Sequence, residues 1–195
     1  MIYQATTSIP LESLRCSSPK PTIDHFFISH LSISEEEVFL QTPKCTSKGV
    51  SKVIDFIIPP NAPFLNWIAS LEERVQQLIY EKRDVWFIED TVTMDDIQSS
   101  FVSVLKQKGD TYTLRAQVHP TVHAPLVFNE AKLPIEETSI KETTPVIGLL
   151  HFVGIRFNQR MFQLVVHVKQ LLAITSSPKC LIQYEELLDI EESKN

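Results

Sequence analysis

Between Val146 and Ile174, apolar and polar residues alternate more strongly and for longer than anywhere else in the chain. Residues 146–157 are apolar on both faces: Ile147, Leu149 and Val153 fall on one, Val146, Leu150 and Phe152 on the other. A strand of that kind is covered on both sides and therefore central. Met161 to Ile174 sets Phe162, Leu164, Val166 and Val168 against Gln163, Val165, His167 and Lys169, the period of two expected of a strand. Asn158-Gln159-Arg160 between them predicts a three-residue hairpin loop. That register places Phe157 opposite Met161 and His151 opposite His167. Gly148 and Gly154 allow bulges or a sharp bend, as a curled sheet needs.

Elsewhere the pattern predicts shorter elements. His25 to Ile33 begins the folded part, with Phe26, Ile28 and Leu31 as inward positions, and strands follow at Val38–Gln41 and within Val50–Ile58. Phe64, Trp67, Ile68, Leu71, Val75, Leu78 and Ile79 recur at helical spacing after Asn61, a suitable cap. This predicts an amphipathic helix over Pro63 to Lys82 lying on a sheet, because its apolar face is narrow and its charges are mixed. Val85-Trp86-Phe87-Ile88 is an apolar segment that should bury its aromatic pair. Thr93-Met94-Asp95-Asp96 has capping-box spacing and starts a second, short helix. Tyr112, Leu114, Ala116 and Val118 alternate with Thr113, Arg115, Gln117 and His119 as a half-exposed strand, Leu126-Val127-Phe128 forms an edge segment, and 130–144 reads as a surface loop. The fold class is α+β and mostly β: a curled antiparallel sheet or OB-like barrel with one long and one short helix. Residues 1–22, with three prolines, read as an irregular arm, 23–175 as a single β-rich domain and 176–195 as an acidic tail.

Composition adds three constraints. Eleven Phe against four Tyr and two Trp favour packing over surface chemistry. The net charge is −6, of which −4 falls in residues 183–195, so the body is nearly neutral and lacks the cationic surplus of an avid duplex binder. Cys16, Cys45 and Cys180 are too sparse for a disulfide framework or zinc knuckle. The chain starts without a basic, then apolar, leader, and no apolar run approaches the ~20 residues that span a bilayer. The expectation is a protein that is neither secreted nor in a membrane.

Catalysis finds no support. Four glycines form no phosphate-cradling loop, no nucleophile elbow is present, and the carboxylates sit in loops and helix faces. His119 and His123 are interrupted by Pro120, which argues against a helical zinc pair. No enzyme, metal or cofactor is expected. If His151 and His167 face each other they could answer to pH, packing histidines being the plainer reading. Tyr112, Arg115, Arg156, Phe157, Arg160, Phe162 and Lys169 interleave aromatic and basic side chains on strands expected to be neighbours. Single-stranded nucleic acid is held by that combination, with bases stacked on rings and phosphates tracked by cations.

Gln41-Thr42-Pro43-Lys44, Trp86-Phe87 and Gly154-Ile155-Arg156-Phe157, followed by Phe162-Gln163-Leu164 and Lys169-Gln170, occur in an order that resembles a protein family of nucleocytoplasmic large DNA viruses. Its members are similar to the T7-phage-type single-stranded DNA-binding protein. The resemblance covers roughly residues 24–175 and implies an oligonucleotide-binding barrel with an added helix, no cofactor, and an acidic tail that competes with DNA and recruits partners. Here the tail ends Ser193-Lys194-Asn195 rather than on an aromatic residue. The implied partners are single-stranded DNA and viral replication or capsid proteins, with homo-oligomerisation left open. The implied place is the cytoplasm or nucleus of an infected cell, or the virion. The alternative function is a minor capsid or other virion assembly protein.

Overall fold

The structure, a computed structural model, describes residues 2–5, 9–49, 52–87, 92–118 and 126–174. In chain order its strands are β1 (Ile2–Gln4), β2 (Leu14–Cys16), β3 (Lys20–Pro21), β4 (Phe27–Ile33), β5 (Val38–Gln41), β6 (Thr46–Lys48) and β7 (Val53–Ile58). Three helices follow, α1 (Ala62–Glu81), α2 (Arg83–Trp86) and α3 (Met94–Ser100). The remaining strands are β8 (Phe101–Val102), β9 (Leu105–Lys108), β10 (Thr111–Val118), β11 (Leu126–Phe128), β12 (Pro134–Ile135), β13 (Val146–Phe157) and β14 (Phe162–Ala173).

The main sheet runs β1-β5-β13-β14-β10-β7-β6, and β4 shares β13 with β5 by pairing its other half. β13 is therefore central, as its two apolar faces predict. The sheet curls but does not close into a barrel, which corrects the barrel form of the sequence expectation. Among the described residues its end strands do not pair; Cys45, just before β6, makes two backbone hydrogen bonds with Val146 of β13. Nor is it purely antiparallel: β1 runs parallel to β5, and β14 takes β8, β10 and β11 in parallel.

The β13–β14 hairpin has a different turn from the one expected. Phe157 pairs with Phe162, so the loop holds four residues, Asn158 to Met161, pinned by the Asn158 side chain accepting from the backbone N–H groups of Arg160 and Met161. His151 nevertheless faces His167. A one-residue bulge at Val153 cancels the extra loop residue, and a second register shift leaves Lys169 outside the ladder. Gly154 is required where β4 crosses: a Cβ there would overlap the Ser29 carbonyl.

Helix α1 lies as predicted, capped by the Asn61 side chain, which accepts from the Phe64 N–H. All seven of its periodic apolar residues are buried, and Trp67 reaches Tyr3 of β1 and Phe152 of β13. Thr93 and Asp96 form the capping box of α3. The described residues hold three helices where the pattern predicts two, because Arg83–Trp86 turns once more beyond α1. Among the described residues, no helix is long and apolar enough to cross a membrane.

The N-terminal arm is not irregular. β1 adds to β5, β2 and β3 add to β4, and Tyr3 and Leu14 are buried at 5% and 0% exposure. Its prolines stand outside the strands or at a strand end, where no ladder donor is lost. Likewise the loop 130–144 contains β12 and a short 3-10 turn at Glu137–Ser139. The acidic tail, and with it His119, His123, Ile88 and Cys180, lies outside the described residues.

Candidate nucleic-acid interface

The hairpin end gathers a row of aromatic rings by strand register alone. Phe27 of β4 pairs with Phe157 of β13, Phe157 with Phe162 of β14, and Phe162 with Phe101 of β8. Cross-strand partners share a face, so the four rings form one line across four strands. Phe157 stacks on Phe27 at 5.7 Å and on Phe162 at 5.8 Å between ring centroids. Trp86, at the end of α2, lies over Phe157 at 5.2 Å with its plane only 5° away, and Phe87 meets Phe157 and Phe162 edge-on.

This placement divides the predicted residues. Phe157 and Phe162 are 3% and 6% exposed, so their rings are occupied by protein neighbours. Phe27, which the sequence reading did not single out, is 44% exposed and is the open end of the row. The sequence pattern puts Phe26 and Ile28 inward, but the buried face of β4 is that of Ser29, Leu31 and Ile33, which Phe27 shares while lying near the sheet edge, beside Pro21 of β3.

The cations lie on the opposite face of the strands. Arg156 pairs in register with Gln163 and Ile28, and its guanidinium sits 3.6 Å from the centroid of the Phe26 ring. There it donates to Asp24 at 2.5 Å. The Asp24 carboxyl, which also accepts from the Thr22 hydroxyl, is held below the ordinary carboxylate range by that hydroxyl first and by Arg156 second. Arg160 is exposed in the hairpin loop. Thus Arg156, Phe157, Arg160 and Phe162 all lie at the hairpin end, Arg156 on the face opposite the two rings.

The other three do not join them. β10 touches β14 only at Gln117–His167 and Val118–Val168, because β8 occupies the β14 edge nearer the hairpin loop. Arg115 is on the outer face, making a two-pronged pair with Asp55 of β7 at 2.7 and 2.8 Å that lowers the Asp55 pKa. Tyr112 points to the other face and packs half-buried against the core. Lys169 is at the second register shift, well along β14 from the loop.

Among the described residues no group of three or more His, Cys, Asp or Glu could hold a metal ion. Burial pushes the Cys45 thiol up to about 11, which makes it a packing residue rather than a nucleophile. The facing histidines sit in the body of the sheet. His151 is buried with its ring 4.7 Å from Phe39 and its Nε2 3.7 Å from Glu37 Oε1. An apolar hollow of about 410 Å³, bordered by Ile2, Phe128, Leu149 and Leu172, opens at the far end of the hairpin.

This curled sheet with a helix laid across it is a fold shared with one phage-encoded single-stranded DNA-binding protein. The crystal structure of gp2.5, a single-stranded DNA-binding protein encoded by bacteriophage T7, aligns with 71% of this chain and 86% of its own at a TM-score of 0.51 and 11% identity. The single-stranded DNA-binding protein from bacteriophage Enc34 aligns with 82% of this chain and 89% of its own, at a TM-score of 0.42 and 9% identity. At such identities the likeness to gp2.5 is one of fold. No protein-family model matches the sequence, and no curated protein matches it.

Proposed function

We propose that this chain binds single-stranded DNA without catalysing a reaction on it, and that the hairpin end is where it does so. The observation that carries the reading is the phenylalanine row ending in the half-exposed Phe27, with Arg160 in the adjoining loop and Arg156 on the reverse face of the same strand ends. Phe27 offers a stacking surface to a base, while Phe157 and Phe162 hold that ring in place from below. Arg160 in the adjoining loop and Arg156 would follow the strand, while Arg115, Tyr112 and Lys169 lie too far along the sheet, or on the wrong face, to share this site. The fold shared with gp2.5 supports the same reading. The motif order in the sequence extends it to genome replication or repair in a large DNA virus, at the site of viral DNA synthesis in the infected cell.

Titration of a fluorescent oligothymidine at low salt tests this. Stacking of a base on an aromatic side chain contributes about 1–3 kcal/mol. Phe27→Ala should therefore weaken binding about five- to a hundredfold while leaving the fold intact. Absence of binding by the unsubstituted chain at micromolar protein, both intact and with residues 176–195 removed, overturns the proposal.

A further inference from the structure

We infer that the Arg156 guanidinium, lying on Phe26, is a binding site for one backbone phosphodiester, and that the Asp24 carboxylate is its intramolecular occupant, displaced when the strand binds. The inference rests on the single-stranded DNA reading above and adds the chemistry of one subsite to it.

Three features carry it. First, the guanidinium is pre-oriented. It lies over the Phe26 ring at 3.6 Å, and Arg156 is fixed in the ladder between Ile28 and Gln163. An arginine presented flat on a ring keeps its outer N–H groups directed away from the ring, where a tetrahedral anion can accept two of them. Second, the occupant is a carboxylate on a solvent-exposed loop. Asp24 is 57% exposed and Arg156 32%, so the pair is open to exchange with a dissolved anion. Exposed ion pairs of this type contribute little, and a phosphate needs only a modest advantage to replace the carboxylate. Third, the pair is one residue removed from the stacking row on two strands at once. Arg156 precedes Phe157, and Phe26 precedes Phe27, the two rings that face each other across β13 and β4. Arg156 and Phe26 thus lie on the reverse face of the same two strand ends, one residue from the stacking row, so a strand whose base rests on Phe27 brings its backbone to the guanidinium by passing round the end of the sheet.

The Arg115–Asp55 pair is a contrast within the same molecule. There the carboxylate belongs to a strand residue directly opposite the arginine and grips it with both oxygens. Asp24 reaches Arg156 from outside the ladder, beyond the start of β4, where the chain reverses through His25 at φ +63°. Its position is the more easily given up.

The test measures oligothymidine affinity of the full chain across a salt series for the unsubstituted protein, Asp24→Asn, Arg156→Ala, the double variant, and Glu142→Gln as a control for added net charge. Asp24→Asn should bind about two- to fivefold more tightly, beyond any gain from Glu142→Gln. Its plot of log affinity against log salt should keep the parent's slope, since the same phosphate is contacted, whereas the Arg156→Ala plot should flatten by about 0.7, the decrement for one lost single-strand phosphate contact. In the Arg156→Ala background the Asp24→Asn gain should vanish, since the carboxylate then has no cation to vacate. If Asp24→Asn behaves like the Glu142→Gln control while Phe27→Ala still weakens binding, the phosphate subsite is overturned and the stacking site stands. If no variant binds, the DNA reading and this inference fall together. Circular dichroism of each variant checks that the fold is kept, and the exposed Asp24→Ser provides a second uncharged replacement.

Discussion

Gly154→Ala is the substitution to which the hairpin should be most sensitive. The β13 backbone at this position faces His30 of β4 in register, and a Cβ built there overlaps the Ser29 carbonyl oxygen. The obstacle is backbone, so no side-chain rotation relieves it. Either β4 moves outward or β13 bows, and the Gly154–His30, Ile155–Ser29, Arg156–Ile28 and Phe157–Phe27 pairings all share the displacement. Overpacking in a closed core costs about 1–3 kcal/mol. Weakening one or two ladder hydrogen bonds adds about 1 kcal/mol each. The expected loss is thus about 2–5 kcal/mol, a large share of the ~5–15 kcal/mol by which domains are stable. Gly109→Ala provides the comparison. Gly109 has φ +58° and nothing within reach of a Cβ, so only the left-handed backbone is penalised, at about 1 kcal/mol. Urea unfolding followed by tryptophan emission and far-ultraviolet dichroism measures both. Because the shift also carries Phe27 away from Phe157, the variant should lose oligothymidine affinity even where it remains folded. A Gly154→Ala protein within about 1 kcal/mol of the parent would refute the close-approach argument.

Two more outcomes follow from the same packing. Leu14→Ala removes a fully buried side chain from a segment that sequence alone reads as loose, and should cost about 2–5 kcal/mol in urea unfolding; a loss below 1 would mean the arm is not part of the core. The Asp55 carboxyl has a lowered folded-state pKa, so the stability it confers is complete above the ordinary carboxylate range and is lost as pH falls through the folded value. Arg115→Ala should therefore destabilise at neutral pH and converge with the parent in acid, and a pH-independent difference would contradict the pairing.

What the sequence made legible was periodicity; what it hid was register between distant strands. The helix α1 could be read residue by residue because seven apolar positions at helical spacing admit one buried face. β13 and β14 were equally plain. Yet the pairing of His151 with His167 arises from a four-residue loop offset by a bulge at Val153, whereas spacing alone reaches it through a shorter loop and no bulge. Two local departures that cancel leave no trace in an alternation pattern. The arm escaped notice for another reason. β1, β2 and β3 have two or three residues each, too few to establish a period, and they are ordered by the edges of β4 and β5, not by their own sequence. For the site, basic and aromatic residues near the hairpin turn were found, but alternation could not say that Phe157 and Phe162 face inward under Trp86 and Phe87. Phe27 becomes conspicuous only when β4 is laid beside β13.

The charge of the molecule bears on which part of the proposed site would do the binding. A protein that holds nucleic acid mainly through phosphates needs uncommitted cations, and here Arg115 and Arg156 each face an aspartate in a chain of net charge −6. Rings are not subject to that limitation. Stacking on Phe27 is indifferent to net charge and favours unpaired bases, which expose their faces, over a duplex, which does not. Under the proposed function, an acidic chain with a cross-strand aromatic row would favour single strands in particular, its arginines setting where the backbone would lie more than how tightly it would be held. On that view the inward burial of Phe157 and Phe162 is a condition of the site rather than an obstacle to it. Unsupported, a phenylalanine at a sheet edge would turn away from solvent; stacked on Phe157, whose own ring is clamped by Trp86, Phe27 keeps its face open.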